Sequence, residues 1–213
     1  MPSPVSARTK SESTTMGKRS TGSAAGPRRL WRGVANLKRS GGFAEAKRPN
    51  KESLVNELIA HYQLSPHPEG GYFRETYRAG AKIPGTQRSL STAIYYLLPS
   101  GQRSLLHKIG ADEVWHFYLG DPLLVVELQA GGPAKITRLG SDHSKGEVLQ
   151  HVVPAGTWFG AMPAPGSKFS FVGCTVSPGF EFSDFELGDR ERLLSQFSEC
   201  REAVLSLTPS TSS

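Results

Sequence analysis

Residues 101–120 read Gly101-Gln102-Arg103-Ser104-Leu105-Leu106-His107-Lys108-Ile109-Gly110-Ala111-Asp112-Glu113-Val114-Trp115-His116-Phe117-Tyr118-Leu119-Gly120. Two short runs rich in branched and aromatic residues, 105–109 and 113–119, flank Gly110, which is the texture of paired strands. Side chains alternate along a strand, so Glu113, Trp115 and Phe117 share one side and His116 faces the other. The same texture continues outward in both directions. Runs at 72–77, 92–98, 123–128, 135–139, 148–153, 157–161 and 168–176 alternate with Gly/Pro turns. Nine short strands at near-regular spacing predict an all-β sandwich or barrel, not βαβ units.

A helix is predicted on each side of this β body. The first opens near Asn50, whose side chain can cap free amides, carries Leu54, Leu58, Ile59 and Tyr62 at helical spacing, and stops at Ser65-Pro66. The closing helix is marked by Arg190 and by an apolar stripe of Leu193, Leu194, Phe197, Cys200 and Val204. The chain of 213 residues is 37% hydrophobic and 21% charged, which places the body among globular chains. No apolar run approaches the roughly 20 residues of a membrane-spanning helix. Two cysteines, Cys174 and Cys200, exclude a disulfide framework and a four-cysteine zinc module. Cys174 reads as a small buried core residue, with an approach to the barrel cavity as the alternative.

Charge divides the chain. Residues 1–50 hold 11 Lys/Arg against 2 Asp/Glu, and the remainder holds 14 against 17. The basic character therefore belongs to a tail, residues 1–49, expected to be disordered because it has little to bury. A mildly acidic body argues against a specific nucleic-acid partner. Within the tail, Leu30, Trp31, Val34 and Leu37 share one helical face, with basic residues on the other. Three readings stand for it: a solvated basic arm, an organelle presequence, or a loose contact to an acidic membrane or nucleic acid. The expected compartment is the cytoplasm, with organelle import as the alternative. The folded domain is predicted to span 50–207, with a polar end at 208–213.

The 101–120 stretch resembles the first cupin motif: Gly101, His107, Glu113 and Gly120 hold its spacing, while Ile109 stands where the motif has a second His. Pro154-Ala155-Gly156-Thr157-Trp158-Phe159-Gly160-Ala161-Met162-Pro163 resembles the second, with Phe159 in place of its His and Pro163 in place of its Asn. Together with His67-Pro68-Glu69-Gly70-Gly71-Tyr72-Phe73-Arg74-Glu75 and Val172-Gly173-Cys174-Thr175-Val176, the pattern resembles the cupin-type-5 subfamily, largely of unassigned function. The resemblance implies a double-stranded β-helix (jelly-roll) barrel, usually paired into homodimers.

A metal-binding cupin offers three His and one Glu. This chain keeps only His107 and Glu113 of that set, so no tight metal site and no cofactor are expected, and a weakly held divalent metal at that pair is the alternative. Gly71-Tyr72-Phe73-Arg74-Glu75 is similar to the Gly-x-Phe-x-Glu pattern of dTDP-4-dehydrorhamnose 3,5-epimerase, a metal-free cupin in which a barrel His removes a proton beside a carbonyl. By that resemblance His107 and Glu113 are the expected catalytic pair, with Glu113 orienting His107 or raising its pKa. Phe73, Arg74, Glu75, Tyr77, Trp115, Phe117, Trp158 and Phe159 are the expected ligand-binding residues. His116 reads as a surface or interface histidine. The leading expectation is a barrel pocket for a small polar ligand, of the sugar or sugar-nucleotide isomerase type. The rivals are a metal-dependent cupin enzyme and a non-catalytic binding or structural dimer.

Overall fold

The computed structural model describes residues 51–209. The tail with its amphipathic segment, the Asn50 cap and residues 210–213 lie outside the described residues. The helix α1 (Lys51–Tyr62) precedes the short strand β1 (Ser65–Pro66) and β2 (Tyr72–Arg78). Eight strands follow: β3 (Thr92–Pro99), β4 (Ser104–Lys108), β5 (Asp112–Gly120), β6 (Leu123–Glu127), β7 (Lys135–Leu139), β8 (Gln150–Val153), β9 (Phe159–Pro163) and β10 (Phe169–Ser177). The chain ends in β11 (Glu186–Leu187), α2 (Arg190–Gln196) and α3 (Arg201–Leu207).

The pairing is nested. Strand β3 pairs antiparallel with β10, β4 with β9, β5 with β8 and β6 with β7. The eight strands thus form one long hairpin, tip at β6–β7, wound so that its turns alternate between two sheets. One sheet runs β1-β2-β3-β10-β5-β8 and the other β11-β4-β9-β6-β7. This is the jelly-roll order, which leaves few long edges to be covered. At the end of β5, Gly120 holds φ +97°, and a Cβ there would sit 2.6 Å from the Phe169 carbonyl oxygen. Only glycine lets β5 turn that closely past β10.

Tyr96, Leu98, Trp115, Leu123, Phe159 and Val172 fill much of the space between the sheets. Outside the first sheet, Leu58, Ile59 and Tyr62 of α1 pack on Leu97 and Phe171. Outside the second, Leu193, Cys200, Val204 and Leu207 pack on Leu106, Val126 and Trp158. The closing helix differs from its expected form: it arrives as two helices, broken at Phe197, whose φ of −129° and ψ of 58° leave helical space. A 3-10 turn, Ser198–Cys200, reorients the chain so that both short helices press their apolar stripe onto one curved sheet. Among the described residues no helix is long and apolar enough to cross a membrane.

Candidate functional site

One end of the barrel remains unfilled. Residues directly opposed in an antiparallel pair face the same side. His107 lies opposite Phe159 and Leu187, and Glu113 opposite Val176 and Val153, so both point between the sheets. With Glu69, Cys174, Ile94 and Ile109 they line a cavity of about 80 Å³. The packed Trp115, Tyr96 and Phe159 close it from the filled half of the barrel.

The sequence reading did not assign Glu69 to the site. It reaches the cavity on the tight turn between β1 and β2, where Gly70 holds φ +113° and Gly71 +72°. The Tyr96 hydroxyl donates to the Gly70 carbonyl at 2.7 Å and ties the turn to the barrel wall. A Cβ on Gly70 would lie 2.2 Å from the backbone oxygen of Arg103. Gly70→Ala should therefore cost about 2 kcal/mol or more and displace Glu69. Urea unfolding checks this, and a midpoint within error of wild type would contradict it.

Glu69, 6% exposed, accepts hydrogen bonds from His107 Nδ1 at 2.9 Å and from Ser104 Oγ at 2.8 Å. The His107 Nδ1 also faces the Leu105 carbonyl at 2.8 Å. Nδ1 is thus committed, and Nε2 has no protein partner among the described residues. The imidazole is held between Phe159, at 4.2 Å between centroids, and Phe185, stacked at 5.3 Å. His67 receives the Glu69 amide on its Nδ1 at 3.3 Å, so that nitrogen is an acceptor and the ring is neutral. Burial pulls its pKa down in agreement.

Burial opposes charge on His107, yet the Glu69 carboxylate, its hydrogen bond and the more distant Glu113 outweigh it, and the pKa rises to about 9. Burial also pushes Glu69 up, but the His107 charge and the hydrogen bonds it receives bring its pKa below the usual carboxylate value. Glu113 lacks such a partner. Burial and the Glu69 charge raise it to about 7, against the pull of His107. Burial and Glu113 push the Cys174 thiol well up, so it stays neutral and hydrogen-bonds with Glu113. At neutral pH the cavity holds a Glu69–His107 ion pair facing a carboxyl group able to carry a proton.

The other expected ligand residues divide. Phe73 and Glu75 line the cavity. Tyr77 does not: the pairing of β2 with β3 slips between Glu75 and Tyr77, which turns Tyr77 outward, 55% exposed, and brings Arg78 in. Arg74 bends away to the Tyr62 carbonyl. Trp115 and Phe159 form the packed floor, with Phe117 half-buried against the same core. Trp158 precedes Phe159 and faces the opposite side of the second sheet, beneath Lys108 and Arg192. Glu113 acts on His107 through space, and Glu69 takes the orienting role expected of it. His116 lies on the outer side, half-buried, bonded to Thr175 and Gln150. The residues after β10 add Phe180, Phe182 and Phe185 to the cavity wall.

The donor set does not fit a divalent metal. Ile109 and Phe159 present hydrocarbon where a metal-binding cupin has ligands. Among the described residues no group of three His, Cys, Asp or Glu side chains is disposed to hold an ion.

Comparison with known proteins agrees with this architecture. The family model described as Cupin superfamily (DUF985) matches residues 56–188. The uncharacterized protein YML079W of Saccharomyces cerevisiae is 31% identical over 159 residues, covering 67% of this chain and 79% of its own. The solved structure of protein SO0799 from Shewanella oneidensis is 37% identical with a TM-score of 0.68, over 72% of this chain and 96% of that one. A hypothetical protein from Leishmania major is similar at 31% identity and a TM-score of 0.67, over 72% and 97%. The nested jelly roll, the family match and these two full-length structural likenesses lead to one conclusion: the chain belongs to the DUF985 family of the cupin superfamily.

Proposed function

We propose that the barrel cavity binds a small hydroxy-carbonyl compound and moves a proton at the carbon beside its carbonyl, an isomerase- or epimerase-type reaction without a metal. The observation that carries this reading is the fixed His107, Nδ1 on Glu69 and Nε2 unpaired, sharing one cavity with a protonatable Glu113. Glu113 as carboxylate takes the proton from carbon as the C–H bond breaks. The electron pair moves onto the carbonyl oxygen, where the His107 imidazolium donates from Nε2 and stabilises the enolate. Return of the proton to another face or carbon gives the isomer. This assigns His107 the role of cationic donor and Glu113 that of base. Its rate should rise through about pH 7 as Glu113 ionises and fall above about pH 9 as His107 loses its proton.

A chamber of about 80 Å³ takes a carbonyl head such as that of an open-chain sugar. It is well below the roughly 300–1,000 Å³ of sites that enclose drug-sized ligands, so a sugar nucleotide would lie mostly outside it. The test is proton NMR in D₂O with hydroxyacetone and a panel of small α-hydroxy carbonyl compounds. Exchange of the carbon-bound proton is expected, with Glu113→Gln slower by about 100-fold or more. No exchange above the variant's background would leave the cavity a binding site only. We also propose a homodimer, supported by the resemblance and by exposed Val148, Leu149 and Val152 on and before the edge strand β8.

A further inference from the structure

Between β10 and β11 the chain crosses from one sheet to the other over the cavity mouth, and it carries three phenyl rings there. Phe180 and Phe182 meet edge to face at 5.0 Å between centroids, and Phe182 and Phe185 at 6.5 Å. Phe185 in turn stacks on His107, so this aromatic wall begins at the site described above. Phe182 lines the same cavity yet is 60% exposed. Small-molecule pockets are lined largely by apolar and aromatic side chains, and Phe182, packed on Phe180, leaves much of its ring open at the rim of this one.

The crossing segment is firmly held. Arg88 donates to the carbonyls of Gly179 at 2.8 Å and Pro178 at 3.3 Å and is ion-paired with Asp184. The Phe180 amide donates to Thr92 Oγ1 at 2.9 Å, and β11 pairs with β4 beside His107. The rings therefore sit on a fixed platform, and binding there needs little ordering of the protein.

The charged groups at the mouth are paired with one another. Arg78 gives Nε and Nη2 to Glu75 at 2.9 and 2.8 Å, Nη1 to Glu181 at 2.9 Å and Nη2 also to the Phe180 carbonyl. Both Glu75 oxygens are occupied by the same arginine. With those charged groups paired among themselves, the apolar surface left open at the mouth is the exposed Phe182 ring, which an aryl group can cover. We infer that Phe182, with Phe180 and Phe185, is the seat for an aryl group, so that the compounds this cavity takes are aryl-substituted hydroxy-carbonyl compounds. The inference rests on the proposed function for its carbonyl head, and adds the chemistry of what extends from that head.

Two probes with the same head separate the two ideas: hydroxyacetone and 2-hydroxyacetophenone. Dissociation constants come from NMR titration of the full-length protein, and proton exchange from the D₂O assay. The aryl ketone is expected to bind at least tenfold more tightly. Phe182→Ala should reduce that ratio to about twofold, and Phe182→Leu should fall between. Thermal melts of both variants confirm that each is folded. Equal affinity for the two ketones, no binding of either, or a ratio that survives Phe182→Ala would overturn the seat. A change in light-scattering mass on Phe182→Ala would do so too, because the ring would then belong to a contact with a second copy. If exchange proceeds without aryl preference, the seat fails and the proton-transfer reading stands. If the aryl preference depends on Phe182 but neither ketone exchanges, the seat stands and the proton-transfer reading fails.

Discussion

His107→Gln is expected to destabilise the barrel by about 3–5 kcal/mol at pH 7, as well as to abolish ligand turnover. The reason is Glu69. Its carboxylate is buried and keeps its charge because His107 stands 2.9 Å away. Glutamine can still donate a hydrogen bond but supplies no charge, and the Ser104 hydroxyl alone cannot compensate a buried anion. For a domain of this size the loss corresponds to a drop of roughly 10 °C in melting temperature. The double variant Glu69→Gln/His107→Gln should recover most of the stability, since two neutral amides replace a buried ion pair. Turnover should stay lost in both. A single variant as stable as wild type would mean that Glu69 is not charged beside His107.

The second large effect is in pH. Glu113 has a folded-state pKa of about 7 against an ordinary value of 4.5, and His107 about 9 against 6.5. Both are raised, so the native state holds each proton more tightly than the unfolded chain does. The stability each contributes is complete below its ordinary value and is lost as pH climbs through the folded one. Glu113 gives up about 3 kcal/mol between pH 4.5 and 7, and His107 a similar amount between pH 6.5 and 9. Glu69, whose pKa is lowered, behaves oppositely and loses its contribution only in acid. His67 and His116, whose pKa values burial lowers, act the other way below about pH 6.5, so the urea midpoint should fall most plainly from pH 7 to pH 9. Glu113→Gln, neutral at all pH, should flatten the part below pH 7 and leave the part above it. A Glu113→Gln variant that keeps the wild-type slope between pH 5 and 7 would contradict this assignment.

Strand positions were legible because Gly and Pro punctuate runs of branched and aromatic residues, and β3 to β10 fall where those runs lie. The inward pair His107 and Glu113 was legible from motif spacing and alternation together. Four features were not, each for a physical reason. The slip in β2 adds one residue opposite β3, and period-two reasoning then places Tyr77 inside when Arg78 occupies that position. The break at Phe197 leaves the apolar stripe uninterrupted, so periodicity continues across a bend that only the curvature of the sheet requires. Glu69 meets His107 only because Gly70 and Gly71 turn the chain toward β4, a distant contact that no local pattern encodes. The sequence carries only the acid beside two glycines, Glu69-Gly70-Gly71, without its burial or its partner. The phenyl rings after β10 stood in what reads as a loop, and only the crossing between sheets carries them over the cavity.

The most direct test of the account is an NMR titration of the His107 imidazole, with Glu113 followed through its side-chain carboxyl carbon. His107 is expected to titrate at about 9 and Glu113 at about 7, and Glu69→Gln to lower the His107 value. A His107 that titrates at or below its ordinary 6.5, with Glu113 near 4.5, would contradict the ion pair and the proton-carrying carboxyl on which the proposed chemistry depends.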